Sequence, residues 1–163
     1  MDTSDPCIIF DFRGWCEYCN NFYSTIKPSW STGEEGQLAL KDIAEKIKAA
    51  GQGRDFDCII GLSGGLDSSY AAYIAKEKMG LRPLLFHVDA GWNTDQAVSN
   101  IEKLVDGLGL DLYTEVINWE EMKDLQVAFL RSQIADQDLP QDGAFFSALY
   151  RFARKNKIRH IIT

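Results

Sequence analysis

The residues best placed to do chemistry are the run Ser63, Gly64, Gly65, Leu66, Asp67, Ser68 and Ser69. Two adjacent glycines let the backbone turn its amides into one concavity without side-chain obstruction. Three hydroxyls add donors, and a helical pattern begins at once, so the positive end of a helix faces the same point. That set suits an anion with several oxygens, such as a diphosphate. Asp67 would be repelled by bare phosphate, so its presence calls for a bridging cation, most naturally Mg²⁺. A loop that holds the β and γ phosphates of ATP without a lysine suits cleavage between α and β, with release of pyrophosphate and transfer of AMP. Asp67 and Ser63 are the residues expected to carry the catalytic work.

Three other readings of the loop compete. A Walker-type loop needs a Lys at the helix start, and none occurs between Arg54 and Lys76. Gly61-Leu62-Ser63-Gly64-Gly65 satisfies the G-x-S-x-G pattern of a nucleophile elbow, with His160 as a downstream histidine. That pattern leaves Asp67, Ser68 and Ser69 without a role. A plain serine-capped glycine turn is common, but here S-G-G-x-D-S follows a buried strand and precedes a helix.

The elements that must position this loop follow from periodicity. Leu38, Leu40, Ile43, Ala44, Ile47 and Ala50 fit one helical face, ended by Gly51 and Gly53. Residues 58–62 form a short, fully buried strand and 68–79 a helix stopped by Gly80. Residues 83–89 are a second strand, 94–108 a helix capped by Asn93 with Gln96 three residues on, and 112–117 a third strand. Asn118 and Glu121 repeat the capping spacing before a helix to about Ile134. Pro140 marks a loop, 143–156 are helical, and residues 160–163 begin a fourth strand. Strands alternating with helices predict an α/β, doubly wound parallel sheet. Ligands of such sheets bind beyond the carboxyl ends of the strands, where the glycine loop lies. Residues 1–33 hold three of the four cysteines and many turn formers, and read as a small irregular module before the main domain, 34–163. Thr163 falls at the end of a strand, so the sequence reads as a truncated domain.

Composition narrows the partners. Seventeen Lys and Arg against 24 Asp and Glu give a net charge of −7 and a pI near 4.8. A surface that grips a nucleic-acid backbone needs clustered basic residues instead. No signal peptide or bilayer-length apolar run is visible, which makes the cytoplasm the default location.

With the loop stand further segments: M-D-T-S-D-P at 1–6, C-E-Y-C at 16–19, H-V-D-A-G-W-N at 87–93, N-W-E-E-M-K-D-L-Q at 118–126 and P-Q-D at 140–142. The loop resembles that of the N-type ATP pyrophosphatases, the PP-loop superfamily, whose fold is adenine nucleotide alpha hydrolase-like. Together the segments resemble the N-acetyl sugar amidotransferases of lipopolysaccharide O-antigen and related surface-sugar biosynthesis. The resemblance implies an ATP-dependent amidotransfer. The carbonyl oxygen of an N-acetyl group on a nucleotide-linked sugar attacks the α phosphate, and ammonia displaces AMP to give an acetamidino sugar. It implies that Ser63, Gly64, Gly65, Asp67, Ser68 and Ser69 hold pyrophosphate and Mg²⁺, and that Val88 contacts adenine through its backbone. It also implies ammonia from separate glutaminase and channel subunits resembling the histidine-biosynthesis pair. The family carries another Cys pair upstream of M-D-T-S-D-P, so Cys16 and Cys19 would be half of a structural Zn²⁺ knuckle in an intact parent, with Cys7 a third thiol.

Weaker features have plainer readings beside the functional ones. Cys16 and Cys19 are equally two ordinary thiols. Asp89 and Asn93 face the expected site, but Asn93 is as well read as a cap. His87 on an apolar strand is a satisfied core histidine more often than a catalyst. Asp142 reaches substrate or caps the next helix, capping being favoured. The basic run Arg151, Arg154, Lys155, Lys157 and Arg159 reads as a solvated face, and Cys58 as core. Two other functions share the loop: a tRNA-thiolating or lysine-attaching enzyme, which the acidic balance disfavours, and a nucleotide-binding fragment without turnover.

Overall fold

The computed structural model describes residues 2–163; Met1, the first residue of the M-D-T-S-D-P stretch, lies outside them. The chain divides into two compact units, one reaching to Asp42 and one running from Ile43 to Thr163, so the divide falls inside a helix.

The first unit is short and turn-rich. The carboxylate of Asp11 accepts the backbone amides of Arg13 and Trp15. The Arg13 guanidinium beside it, at 2.7 Å, holds the Asp11 carboxyl down to about 2. Helix α1 (Glu17–Asn21) passes through a π-helical turn, Phe22–Ile26, into α2 (Lys27–Ser29). Trp15 stacks on Tyr23 with ring centroids 4.4 Å apart. Helix α3 (Gly33–Gly51) follows, with Glu34 and Glu35 in its first turn and Lys48 in its last, the charge order that opposes the helix dipole.

The second unit is the expected α/β layer structure. Strands β1 (Cys58–Gly61), β2 (Pro83–Asp89), β3 (Leu112–Val116) and β4 (Ile161–Ile162) form one parallel sheet in the order β3-β2-β1-β4. Helices α4 (Leu66–Tyr73), α5 (Asp95–Leu108), α6 (Trp119–Arg131) and α7 (Leu139–Lys155) connect them. Successive side chains of a strand point to opposite faces, and both faces here are apolar. Cys58, Ile60, Leu62 and Leu85 join a core with Ala72, Ala75 and Ile101. Ile59, Leu84, Phe86 and Val88 join a second core with Ala148, Leu149 and Ala153 of α7. A strand buried on both sides must read as a continuous apolar run, as Cys58–Leu62 does. Strand β3 is an edge and mostly exposed.

One polar contact fastens the entrance of β1. The buried carboxylate of Asp57 accepts the Arg82 amide at 2.9 Å and the Arg82 guanidinium at 2.5 Å. The same guanidinium donates to the carbonyls of Gly51 and Arg54, so the end of α3 and the approach to β2 are tied to one side chain.

Several sequence expectations change. Helix α4 begins at Leu66 and not at Ser68, so Asp67 lies in its first turn, and it ends in a π-helical turn, Ile74–Lys78. Asn93 does not cap α5: the Thr94 hydroxyl accepts the Ala97 amide, and Asn93 has another partner. Pro140 is not in a loop but in the first turn of α7, where a missing N–H costs nothing. Asp142 therefore sits inside that helix and is not its cap. Helix α6 ends at Arg131, three residues short of Ile134. The Asn118 cap holds, its side chain accepting the amides of Glu120 and Glu121.

Burial, aided by the neighbouring Asp57 charge, pushes the Cys58 thiol from its ordinary 9.0 up to about 12. Between those values the unfolded thiol has lost its proton and the folded one has not. Stability conferred by Cys58 is therefore complete below pH 9 and falls as pH rises toward 12, by at most about 1.4 kcal/mol per pH unit. Urea unfolding at stepped alkaline pH should show the wild type losing stability faster than Cys58→Ala.

Candidate functional site

The carboxyl end of β1 feeds the glycine loop, and a cavity of about 680 Å³ opens there. Its walls come from Ile60–Ser63, Phe86–Val88, the loop Ala90–Thr94, the first turns of α4 and α7, and Thr163 at the end of β4. β2 flanks β1 on one side and β4 on the other, so the chain reverses its direction of travel at β1. That is the switch point at which a doubly wound sheet leaves a crevice.

The loop is pinned from outside. Gly64 has φ +77°, and a Cβ there would lie 2.5 Å from the Ala97 carbonyl oxygen of α5. The Asn100 amide, one turn on, donates to the Gly64 carbonyl at 3.0 Å. The loop also closes on itself. The Ser63 amide donates to the Ser68 hydroxyl at 3.3 Å, and the two hydroxyls lie 3.2 Å apart. No side chain caps α4, whose Gly65 start is extended, so its first amides have no intrahelical partner. Uncapped amides, two hydroxyls and the exposed Asp67 carboxylate thus share one end of the cavity, and Phe86, Phe145 and Leu149 give it apolar wall beside Asn93, Thr94, Gln141 and Asp142. A hydroxyl and carboxylate donor set is the kind a hard cation takes, and a cavity of this size holds a nucleotide-sized ligand. The residues fit both ATP and Mg²⁺.

Not every expected residue faces the cavity. Ser63, Asp67, Ser68 and Val88 line it. Ser69 donates its hydroxyl to the Gly65 carbonyl at 2.7 Å, a bond within the helix turn. Gly65 contributes shape: a Cβ there would stand 3.3 Å from the Ser63 hydroxyl. The Asp89 carboxylate accepts the Gly91 amide at 2.9 Å and shapes the loop after β2. Asp142, assigned to capping above, lines the cavity with Gln141. The basic residues from Arg151 to Arg159 are exposed, as a solvated face would be.

Sequence alone gave His87 no role beyond the core. It is buried and bonded at both nitrogens. Nδ1 lies 2.8 Å from the Leu62 carbonyl oxygen and Nε2 lies 3.0 Å from the Asn93 amide nitrogen. A carbonyl accepts only, so Nδ1 carries the proton and Nε2 of the neutral ring accepts from Asn93. His87 thereby joins the residue before Ser63 to the loop after β2. The H-x₅-N spacing of His87 and Asn93 was visible, but nothing in it distinguished a brace from a cap.

In the first unit, Cys16 Sγ and Cys19 Sγ lie 3.7 Å apart, and the Cys19 amide holds the Cys16 thiol below its ordinary range. Cys7 is exposed. Among the described residues no group of three or more His, Cys, Asp or Glu is gathered to hold a metal ion. The pair provides two sulfurs where a structural zinc site needs four ligands. Among the described residues, no helix is long and apolar enough to cross a membrane.

A family model described as NAD synthase matches residues 39–156. Solved structures similar to the chain include NMN synthetase from Francisella tularensis, with TM-score 0.48 and 22% identity over 75% of this chain and 52% of that one. An NH3-dependent NAD synthetase from Campylobacter jejuni, solved with a nitrate ion, gives 0.47 and 23% over 74% and 51%. An NAD+ synthetase from Burkholderia pseudomallei gives 0.51 and 19% over 83% and 63%, a likeness of fold. The chain therefore spans between half and two thirds of the length of these structures. No curated protein matches it.

The seat of the loop generates a paired prediction. Gly64→Ala should destabilise the chain by about 1–3 kcal/mol, because it combines a positive φ with a backbone clash. Gly107→Ala, within α5 with nothing inside 4 Å of its Cβ, should stabilise by about 0.5–1 kcal/mol. Urea midpoints of the two variants should move in opposite directions.

Proposed function

The chain belongs to the NAD synthase family, and from that premise we propose that it is an ATP-dependent, AMP-forming amidotransferase whose acceptor is the N-acetyl group of a nucleotide-linked sugar. The observation that carries the ATP half is the pinned loop with an uncapped helix and Asp67 at one end of a cavity with a largely apolar wall. The acceptor half rests on the segments shared with sugar amidotransferases.

In this reading the Ser63 and Ser68 hydroxyls and the first amides of α4 donate to the β and γ phosphates. Asp67 would hold Mg²⁺, which neutralises the charge of the leaving pyrophosphate. Val88 and the apolar wall take the adenosine. The acceptor's carbonyl oxygen attacks the α phosphorus, the α–β bond breaks, and pyrophosphate leaves. Ammonia then adds to the activated carbon. AMP departs with the former carbonyl oxygen and a proton passes to solvent, leaving an amidine. The protein's part is to align the acceptor with the α phosphate and stabilise charge on the departing diphosphate. Ammonia would come from glutaminase and channel subunits.

Pyrophosphate release with UDP-N-acetylglucosamine, ATP, Mg²⁺ and an ammonium salt tests this reading, with mass spectrometry of the sugar. Wild type should release pyrophosphate and form the amidine. Asp67→Ala should fold normally, since Asp67 is exposed, and lose about 10²–10³-fold in rate. Unchanged turnover in Asp67→Ala would remove the proposed role of the loop, and turnover with a carboxylate acceptor alone would remove the sugar.

A further inference from the structure

Trp92 lines the cavity and is 58% exposed, yet its ring is held on several sides. Its indole N–H donates to the Gln126 side-chain oxygen at 2.7 Å. It meets Trp119 edge to face, with centroids 5.2 Å apart and planes at 80°. The preceding residue, Gly91, has φ +88° and packs so closely on Trp119 that a Cβ would lie 2.3 Å from that ring. Trp119 is itself fixed as the first residue of α6, directly after the Asn118 cap. Helix α6 thus holds the ring through its N–H and through an edge contact, and more than half of the residue stays exposed on the cavity. A rigid aromatic face with little rotamer entropy left to lose is what a ring-binding subsite needs.

Resting on the amidotransferase reading, we propose that Trp92 is the platform on which the pyranose ring of the acceptor sugar stacks. Gln126 already occupies the indole N–H, so the ring offers its flat apolar face and not a hydrogen bond. A pyranose presents a matching face of C–H groups and a rim of hydroxyls. Gln141 and Asp142, which line the same cavity, supply an amide and a carboxylate for that rim. Trp92 is a binding residue and takes no part in proton or phosphoryl transfer.

Calorimetric titration of the full chain with UDP-N-acetylglucosamine, UDP and MgATP tests this. Trp92→Ala should weaken UDP-N-acetylglucosamine by about 10- to 100-fold, and Trp92→Phe, which keeps an aromatic face, should stay within about 3-fold of wild type. UDP and MgATP affinities should not change. Equal sugar-nucleotide affinity in Trp92→Ala overturns the platform and leaves the proposed reaction standing. Equal losses for UDP or for MgATP assign the ring to a base instead, and also overturn it. A wild type that binds MgATP but no UDP-N-acetylglucosamine overturns both the platform and the sugar acceptor.

Discussion

The contact on which the site depends is the one between Gly64 and α5. The loop backbone passes so close to the Ala97 carbonyl that no side chain fits between them, and Asn100 holds the Gly64 carbonyl from the next turn. Amides can form an anion cradle only if they converge, and a free glycine pair would sample many other shapes. Here the loop's shape is imposed by a neighbouring helix. That transfers the ordering cost to folding and leaves the cradle formed before a ligand arrives.

A second constraint sets where the cradle opens. The β1 strand has β2 on one side and β4 on the other, and its carboxyl end is the switch point at which a doubly wound sheet leaves a crevice. The hydroxyls of Ser63 and Ser68 therefore meet an apolar wall to which α7 and β2 contribute. His87 connects the two halves of this arrangement, with one ring nitrogen on the β1 exit and the other on Asn93. A buried imidazole with both nitrogens satisfied adds rigidity without an unpaired polar group. It fixes the loop that carries Trp92 relative to the loop that carries Ser63.

Much of this was legible in the residues. Buried parallel strands read as apolar runs because both their faces are covered, so Cys58–Leu62 and Pro83–Asp89 announced themselves. Gly64, Gly65, Asp67 and Ser68 marked the turn between β1 and α4, because a glycine takes the positive φ that the chain adopts at Gly64. The Asn118 cap was equally plain. Less visible were choices between two local readings that only the packed structure settles. Asn93 and Thr94 are both good caps, and only the bond to His87 decides between them. A proline breaks a helix interior but is at home in a first turn, and the structure puts Pro140 in the first turn of α7.

The sequence by itself determined the alternation of strands and helices, the place of the glycine loop between β1 and α4 and the acidic character of the chain, since these follow from local periodicity, backbone freedom and charge. The tertiary structure alone decided which hydroxyls face the cavity, that Ser69 turns back on Gly65, that Asp142 lines the wall, and that Trp92 stands exposed but immobile. The reason is geometric. Each of these depends on a partner up to several tens of residues away or on the packing of a whole helix, and a one-dimensional pattern carries no information about which distant groups the fold will bring within hydrogen-bond reach.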